Sequence, residues 1–246
     1  MSRVPEWLVR VPIAHRGLHN AAQGVIENSL PAFQAAARAG YPAELDVRLV
    51  ADGEIAVFHD QNLDRLTGAT GPISALTARD LRRVTLSSGA PIPLLREVLE
   101  GIAGSTPLLI EVKNEGDVGE LEERVVDLLV RYRGAYAVQS FHPGTVQYWR
   151  KHAADTPRGL LSGDFRDEKI DEATRQRLRN LEFIEDCEPD FIGYDIRLLP
   201  NEFVSRAKLP VLGWTARSIG DAKSALENCD NVIFEGFDAS PLRMKK

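Results

Sequence analysis

Four short stretches of the chain carry side chains that could do chemistry together. Ala14-His15-Arg16-Gly17 ends an apolar run with an imidazole and a guanidinium side by side. In Glu44-Leu45-Asp46-Val47, strand alternation sends Leu45 and Val47 to one face and both carboxylates to the other. Ile110-Glu111-Val112-Lys113 repeats the arrangement with one carboxylate and one ammonium, and Phe58-His59-Asp60 adds a second imidazole. Like charges held on one face repel unless a cation sits between them. Three carboxylates from neighbouring strands suit a hard divalent cation such as Mg²⁺ or Ca²⁺ with positions left open. A solvated strand face without a ligand would carry Glu44 and Asp46 equally well, and Glu111 with Lys113 reads either as an internal ion pair or as a carboxylate beside an anion-holding lysine. His15 and His59 could accept and donate protons near neutral pH. Of the other histidines, His142 in Ser140-Phe141-His142-Pro143 could reach a ligand, and His152 reads as helix surface.

Such side chains need a scaffold that gathers strand ends. Apolar, β-rich runs recur at Val11 to Ala14, Ala43 to Val47, Leu108 to Val112, Ala135 to Gln139, Arg158 to Leu161, Asp190 to Tyr194, Pro210 to Trp214 and Asn231 to Phe234. Between them, Val118, Leu121, Val125, Leu128, Leu129 and Tyr132 share one helical face, and Ser29 with Pro31 reads as a helix start. Strand then helix, eight times in 246 residues, predicts a (β/α)₈ TIM barrel, whose sites lie at the C-terminal ends of the strands. One connection is too long. Residues 51–94 hold a short strand-like run, Glu54 to Phe58, and a Gly- and Pro-punctuated stretch, an expected insertion after the second strand. No linker or repeat interrupts residues 1–246, so one domain is expected.

Composition excludes several classes. A net charge of −6 argues against nucleic acid as a partner, while a local basic pocket could still hold a small anion. Cys187 and Cys229 form no C-x-x-C unit and read as inert thiols. The start Met1-Ser2-Arg3-Val4-Pro5-Glu6-Trp7 lacks the apolar run of a signal peptide and no stretch has membrane-spanning length, so a cytoplasmic protein is expected. There is no P-loop, G-x-G-x-x-G, H-E-x-x-H or G-x-S-x-G. A cation site, two imidazoles, an arginine and a lysine remain, a set suited to attack on a phosphate diester.

These residues resemble the glycerophosphodiester phosphodiesterases. The resemblance runs through Ala14-His15-Arg16-Gly17, Glu27-Asn28-Ser29-Leu30-Pro31-Ala32-Phe33, Gly40, Glu44-Leu45-Asp46-Val47, Asp52-Gly53, Phe58-His59-Asp60 with Leu63, Arg65 and Thr67-Gly68, Leu109-Ile110-Glu111-Val112-Lys113, Ser140-Phe141 and Trp214-Thr215. It implies His15 and His59 as the acid–base pair, Glu44, Asp46 and Glu111 as ligands of a divalent metal, and Arg16 and Lys113 as contacts to the phosphate of a small glycerophosphodiester. Glu27 is expected to support substrate binding, or else to stabilise the dipole of the helix that follows. Trp214 is expected either as a platform for glycerol or the leaving group, or as core packing. Two departures stand out: Ile26 and Ser29 replace the family's Pro and Thr around Glu27-Asn28, and Ile233-Phe234-Glu235-Gly236-Phe237-Asp238 replaces its Thr-Asp-x-Pro at the last strand. Alternatives are a lipid-directed phosphodiesterase resembling the sphingomyelinase D group, which is typically secreted and disulfide-bonded, and a non-catalytic phosphodiester-binding barrel.

Overall fold

The computed structural model describes residues 4–166 and 170–242; of the N-terminal stretch read above, Met1 to Arg3 lie outside them. Among the described residues, eight parallel-type strands alternate with helices, the architecture of a (β/α)₈ barrel with an insertion after the second strand. The chain divides into two compact units, 14–136 and 1–13 with 137–246.

In the unit 14–136, strand β1 (Ile13–Ala14) contributes Ala14, which pairs in parallel with Ala43 of β2 (Ala43–Leu49). Pro12 has no N–H to donate, and β1 is accordingly shorter than the expected run from Val11. An antiparallel strand β3 (Ile55–Val57) folds back on β2, with Val47 opposite Val57. Parallel to β2 runs β4 (Leu108–Val112), with Asp46 opposite Glu111. The helix Leu30–Ala39 begins where expected: Ser29 Oγ accepts from the Ala32 N–H, proline stands in the first turn, and Gly40 closes the helix at φ 72°. Helix Leu95–Ile102 buries Leu95, Val98, Leu99 and Ile102, the i, i+3, i+4, i+7 stripe of one face. Helix Glu120–Leu129 buries Leu121, Val125 and Leu129, but Val118 precedes it and is exposed, so the expected face is one turn too long.

The insertion has a small core of its own. Phe58, Leu63, Ile73, Leu81, Leu86 and Ile92 pack with Ile26 and Val50, and short helical turns such as Ala78–Leu81, whose Thr77 and Asp80 cap each other, hold the shell around them.

In the other unit, β5 (Tyr136–Ser140), β6 (Arg158–Ser162), β7 (Phe191–Asp195), β8 (Val211–Ala216) and β9 (Asn231–Phe234) pair in parallel in chain order. Buried Asn231 ties the N-terminal helix Glu6–Arg10 to β9, its Nδ2 donating to the carbonyls of Leu8 and Val11 at 2.8 and 2.7 Å. No helix among the described residues is long and apolar enough to cross a membrane.

Candidate active site

The end of β1 turns sharply to present His15 and Arg16. Arg16 sits at φ 54°, a left-handed conformation that costs a non-glycine residue about 1 kcal/mol or more. That geometry is held from both sides: the Arg16 N–H donates to Glu44 Oε2 at 2.9 Å, and the Arg16 carbonyl accepts from the Asn28 N–H at 2.9 Å. Gly17 follows at φ 80°, where a Cβ would stand 2.8 Å from the carbonyl carbon and Cβ of Ala32. Only glycine lets this turn lie against the start of helix Leu30–Ala39.

Glu44 and Asp46 share one face of β2, and Asp46 lies in register with Glu111 of β4. All three carboxylates are buried, and each offers an oxygen within 4.8 Å of the other two. Lys113 lies beside them: its Nζ donates to Glu111 Oε1 and stands 3.1 Å from Asp46 Oδ1. Asp46 is also held by Asn28, whose Nδ2 donates to Asp46 Oδ2 at 2.7 Å while its Oδ1 accepts from the Asp46 N–H at 3.2 Å. Arg16 Nε is 3.5 Å from Asp46 Oδ2, and His15 Nε2 is 4.0 Å from Glu44 Oε2.

The charges are arranged unevenly. Burial, then the neighbouring charges of Asp46 and Glu111, push the Glu44 carboxyl well above the usual carboxylate range. Burial also pushes Glu111 up, although Lys113 opposes it. Against its own burial, Asp46 is held far below that range by Lys113, His59, Arg16 and His15. Three carboxyl groups thus crowd one buried pocket, and Glu44 Oε1 has no hydrogen-bond partner. An oxygen-only donor set with an unpartnered buried oxygen fits a hard divalent cation.

His59 follows β3. Its carbonyl accepts from Arg48 Nε and Nη2 at 2.8 and 2.6 Å, fixing the backbone, and its Nδ1 meets Asp60 Oδ1 at 2.7 Å. Burial, with the positive charges of Lys113 and Arg16, lowers the imidazole to about 4, against the pull of Asp46 and Asp60. It is therefore neutral at pH 7, with Nδ1–H directed at Asp60 and Nε2 free to accept a proton. Glu27 accepts from Arg16 Nη1 at 2.6 Å and from both terminal nitrogens of Arg65. In spite of its burial, the Arg65 hydrogen bonds and the Arg16 charge hold its carboxyl at about 2. Glu27 thus joins two guanidinium groups, those of Arg16 and Arg65.

His15, Arg16, Glu27, Glu44, Asp46, His59, Glu111 and Lys113 all belong to the unit 14–136. Trp214 belongs to the other, where its ring meets Phe141 edge-on at 5.4 Å, and Phe141 in turn meets Phe165 at 5.7 Å. His142 caps helix Pro143–His152, its Nδ1 accepting from the Thr145 N–H at 3.3 Å. His152 stacks on Tyr148 along the helix. At the divergent end of β9, Glu235 pairs with Arg217 at 2.8 Å. Both cysteines are free thiols; burial raises Cys187 to about 12 and Cys229 to about 11, in keeping with inert groups. Sequence reasoning gave no role to Asn28, Asp60 or Arg65. Adjacency of Asp60 to His59 was a usable signal, and asparagine is among the few residues that readily take the φ of 54° seen at Asn28.

Fold and site together define a (β/α)₈ barrel with a buried acidic triad flanked by imidazole, guanidinium and ammonium groups. The chain belongs to the glycerophosphoryl diester phosphodiesterase family, whose model matches residues 15–228. A glycerophosphodiester phosphodiesterase of Bacillus altitudinis is 32% identical over 164 residues, covering 61% of this chain and 66% of that one. A human lysophospholipase D is 35% identical over 134 residues, 49% of this chain and 41% of the relative. The chain thus spans just under two thirds of the bacterial relative and less of the human one. Among solved structures, an Oleispira antarctica phosphodiesterase in complex with the product sn-glycerol-3-phosphate superposes with a TM-score of 0.75 at 23% identity, covering 92% of this chain and 93% of that one. A Thermotoga maritima glycerophosphodiester phosphodiesterase gives a TM-score of 0.70 at 26% identity, covering 92% and 94%.

Proposed function

We propose that this protein hydrolyses glycerophosphodiesters to glycerol 3-phosphate and a free alcohol. The observation that carries the reading is the buried triad of Glu44, Asp46 and Glu111 with two imidazoles, Arg16 and Lys113 gathered around it. Glu44, Asp46 and Glu111 would hold a divalent cation, Mg²⁺ or Ca²⁺, whose chemistry when bound is polarisation of a phosphoryl oxygen. Arg16 and Lys113 bind the phosphate and balance the charge that grows on its oxygens as the nucleophile arrives. His59, neutral and oriented by Asp60, accepts the proton of the attacking hydroxyl at Nε2. The new P–O bond forms as the bond to the leaving alcohol breaks, and His15 returns a proton to that departing oxygen. Water serves as the nucleophile directly, or the substrate's own 2-hydroxyl attacks first and water opens the cyclic phosphate.

The test is release of glycerol 3-phosphate from glycerophosphocholine, with and without chelator. Cation-dependent release supports the reading; tight binding of the diester without turnover would make the protein a binding barrel instead. Similarity to a lysophospholipase D favours a second reading, in which the alcohol is choline and the diester carries one acyl chain. Choline release from lysophosphatidylcholine at a higher kcat/KM than from glycerophosphocholine would select it.

A further inference from the structure

Arg65 takes no part in the chemistry above, yet it stands between the residues that do. Its Nε and Nη2 donate to Asp60 Oδ2 and Oδ1 at 2.6 and 3.0 Å, and its Nη1 and Nη2 to Glu27 Oε2 and Oε1 at 2.9 and 2.8 Å. A single nitrogen, Nη2, therefore bridges Asp60 Oδ1, which holds His59 Nδ1, and Glu27 Oε1, which holds Arg16 Nη1. The result is a continuous chain, His59–Asp60–Arg65–Glu27–Arg16, joining the insertion to the turn after β1. Four of the five guanidinium N–H donors lie in this planar fork, a geometry that an ammonium cannot reproduce.

We propose that Arg65 is a positioning residue that sets the His59 imidazole and the Arg16 guanidinium relative to each other. The proposal rests on the diesterase reading for its kinetic consequence but not for its structural one. The Arg65 side chain is 46% exposed, and ion pairs so placed contribute little to stability, about 0–1 kcal/mol each. Its bidentate contacts instead restrict rotation of both carboxylates, and through them the directions of the groups that reach the phosphate.

The experiment compares wild type with Arg65→Met, Arg65→Lys, Asp60→Asn and the Arg65→Met/Asp60→Asn double variant, in two readouts. Nitrogen-15 NMR of the His59 ring follows the tautomer directly: wild type should hold one Nδ1–H tautomer, and Arg65→Met should average the two. In the diester assay, Arg65→Met should lose about 10- to 100-fold in kcat/KM, most of it in kcat, while its Tm falls by less than about 5 °C. Arg65→Lys should recover no more than about threefold of that loss, and the double variant should be within about threefold of Asp60→Asn alone. An unchanged His59 tautomer in Arg65→Met, full recovery in Arg65→Lys, or losses that multiply in the double variant would each overturn the proposal. If wild type turns over no diester, the diesterase reading fails and the tautomer still decides the role of Arg65.

Discussion

Replacing Lys113 with methionine removes one charge from a site where two buried carboxylates face it. At 3.1 Å, the pair with Asp46 is worth about 5 kcal/mol gross at an effective dielectric of 20, and Glu111 adds a comparable contact. Desolvation of the ammonium offsets part of this, and removing one partner of a buried pair costs a net of about 3–5 kcal/mol. Glu44 and Glu111, both already raised, can take up a proton in response, which draws the loss toward the lower end. For a chain of 246 residues each kcal/mol moves Tm by about 2–4 °C, so in chelator the variant should melt about 6–15 °C below wild type. Added Mg²⁺ or Ca²⁺ should then raise its Tm by more than it raises that of wild type, because the cation replaces the missing charge. Differential scanning fluorimetry with EDTA and with a cation titration measures both effects. With saturating cation the folded variant should still lose ~10²-fold or more in kcat/KM if Lys113 also meets the phosphate. A Lys113→Met variant as stable as wild type in EDTA, with no larger response to cation, would refute the account of Lys113 as counter-charge to the triad.

Chelation should abolish diester hydrolysis and return of the cation should restore it; full turnover by demonstrably metal-free protein would remove the cation from the scheme. His15→Ala and His59→Ala should each lower kcat by ~10²-fold or more with unchanged circular dichroism, and the proposed use of both rings in one step requires the double variant to be little worse than either. The Glu27 carboxyl, depressed to about 2, contributes stability that is fully present above its unfolded pKa near 4.5 and is lost as pH falls toward 2. Screening by solvent at the half-exposed Arg65 reduces this, so urea titrations from pH 5 to 2 should show about 1–2 kcal/mol more loss in wild type than in Glu27→Gln, and equal slopes would count against the Arg16–Glu27–Arg65 contacts. Gly17→Ala, with φ 80° and a Cβ 2.8 Å from Ala32, should cost about 2–4 kcal/mol and reduce activity by displacing His15 and Arg16; a neutral effect in thermal melts would show that the turn adapts.

Every strand of the barrel was legible from its apolar run, because parallel strands covered on both faces read as continuous hydrophobic segments. The differences lie at the ends, where local chemistry overrides pattern. Pro12 shortens β1 by withholding a donor, and β8 runs two residues past Trp214. The interior of the insertion was legible only as punctuation. Past β3 its elements are three or four residues long, too short for a period to register, and its core of Phe58, Leu63, Ile73 and Leu86 is assembled by contacts distant in sequence.

The site divides along the same line. Strand alternation alone puts Glu44 with Asp46 and Glu111 with Lys113, since a period of two fixes which side chains share a face. What alternation cannot supply is register between strands. Asp46 stands opposite Glu111 because of how β2 and β4 are aligned, and this is what allows one lysine to meet both carboxylates. The supporting contacts are harder still to read from spacing. Asn28 grips Asp46 across 18 positions, and Arg65 grips Glu27 across 38. Both residues lie in turns, where no strand alternation sets a facing, so neither stands out beside a histidine or a carboxylate pair. Both nevertheless decide where the reactive atoms point: a carboxylate with free torsions offers a cation or an imidazole a range of directions, and one held at both oxygens offers a single direction.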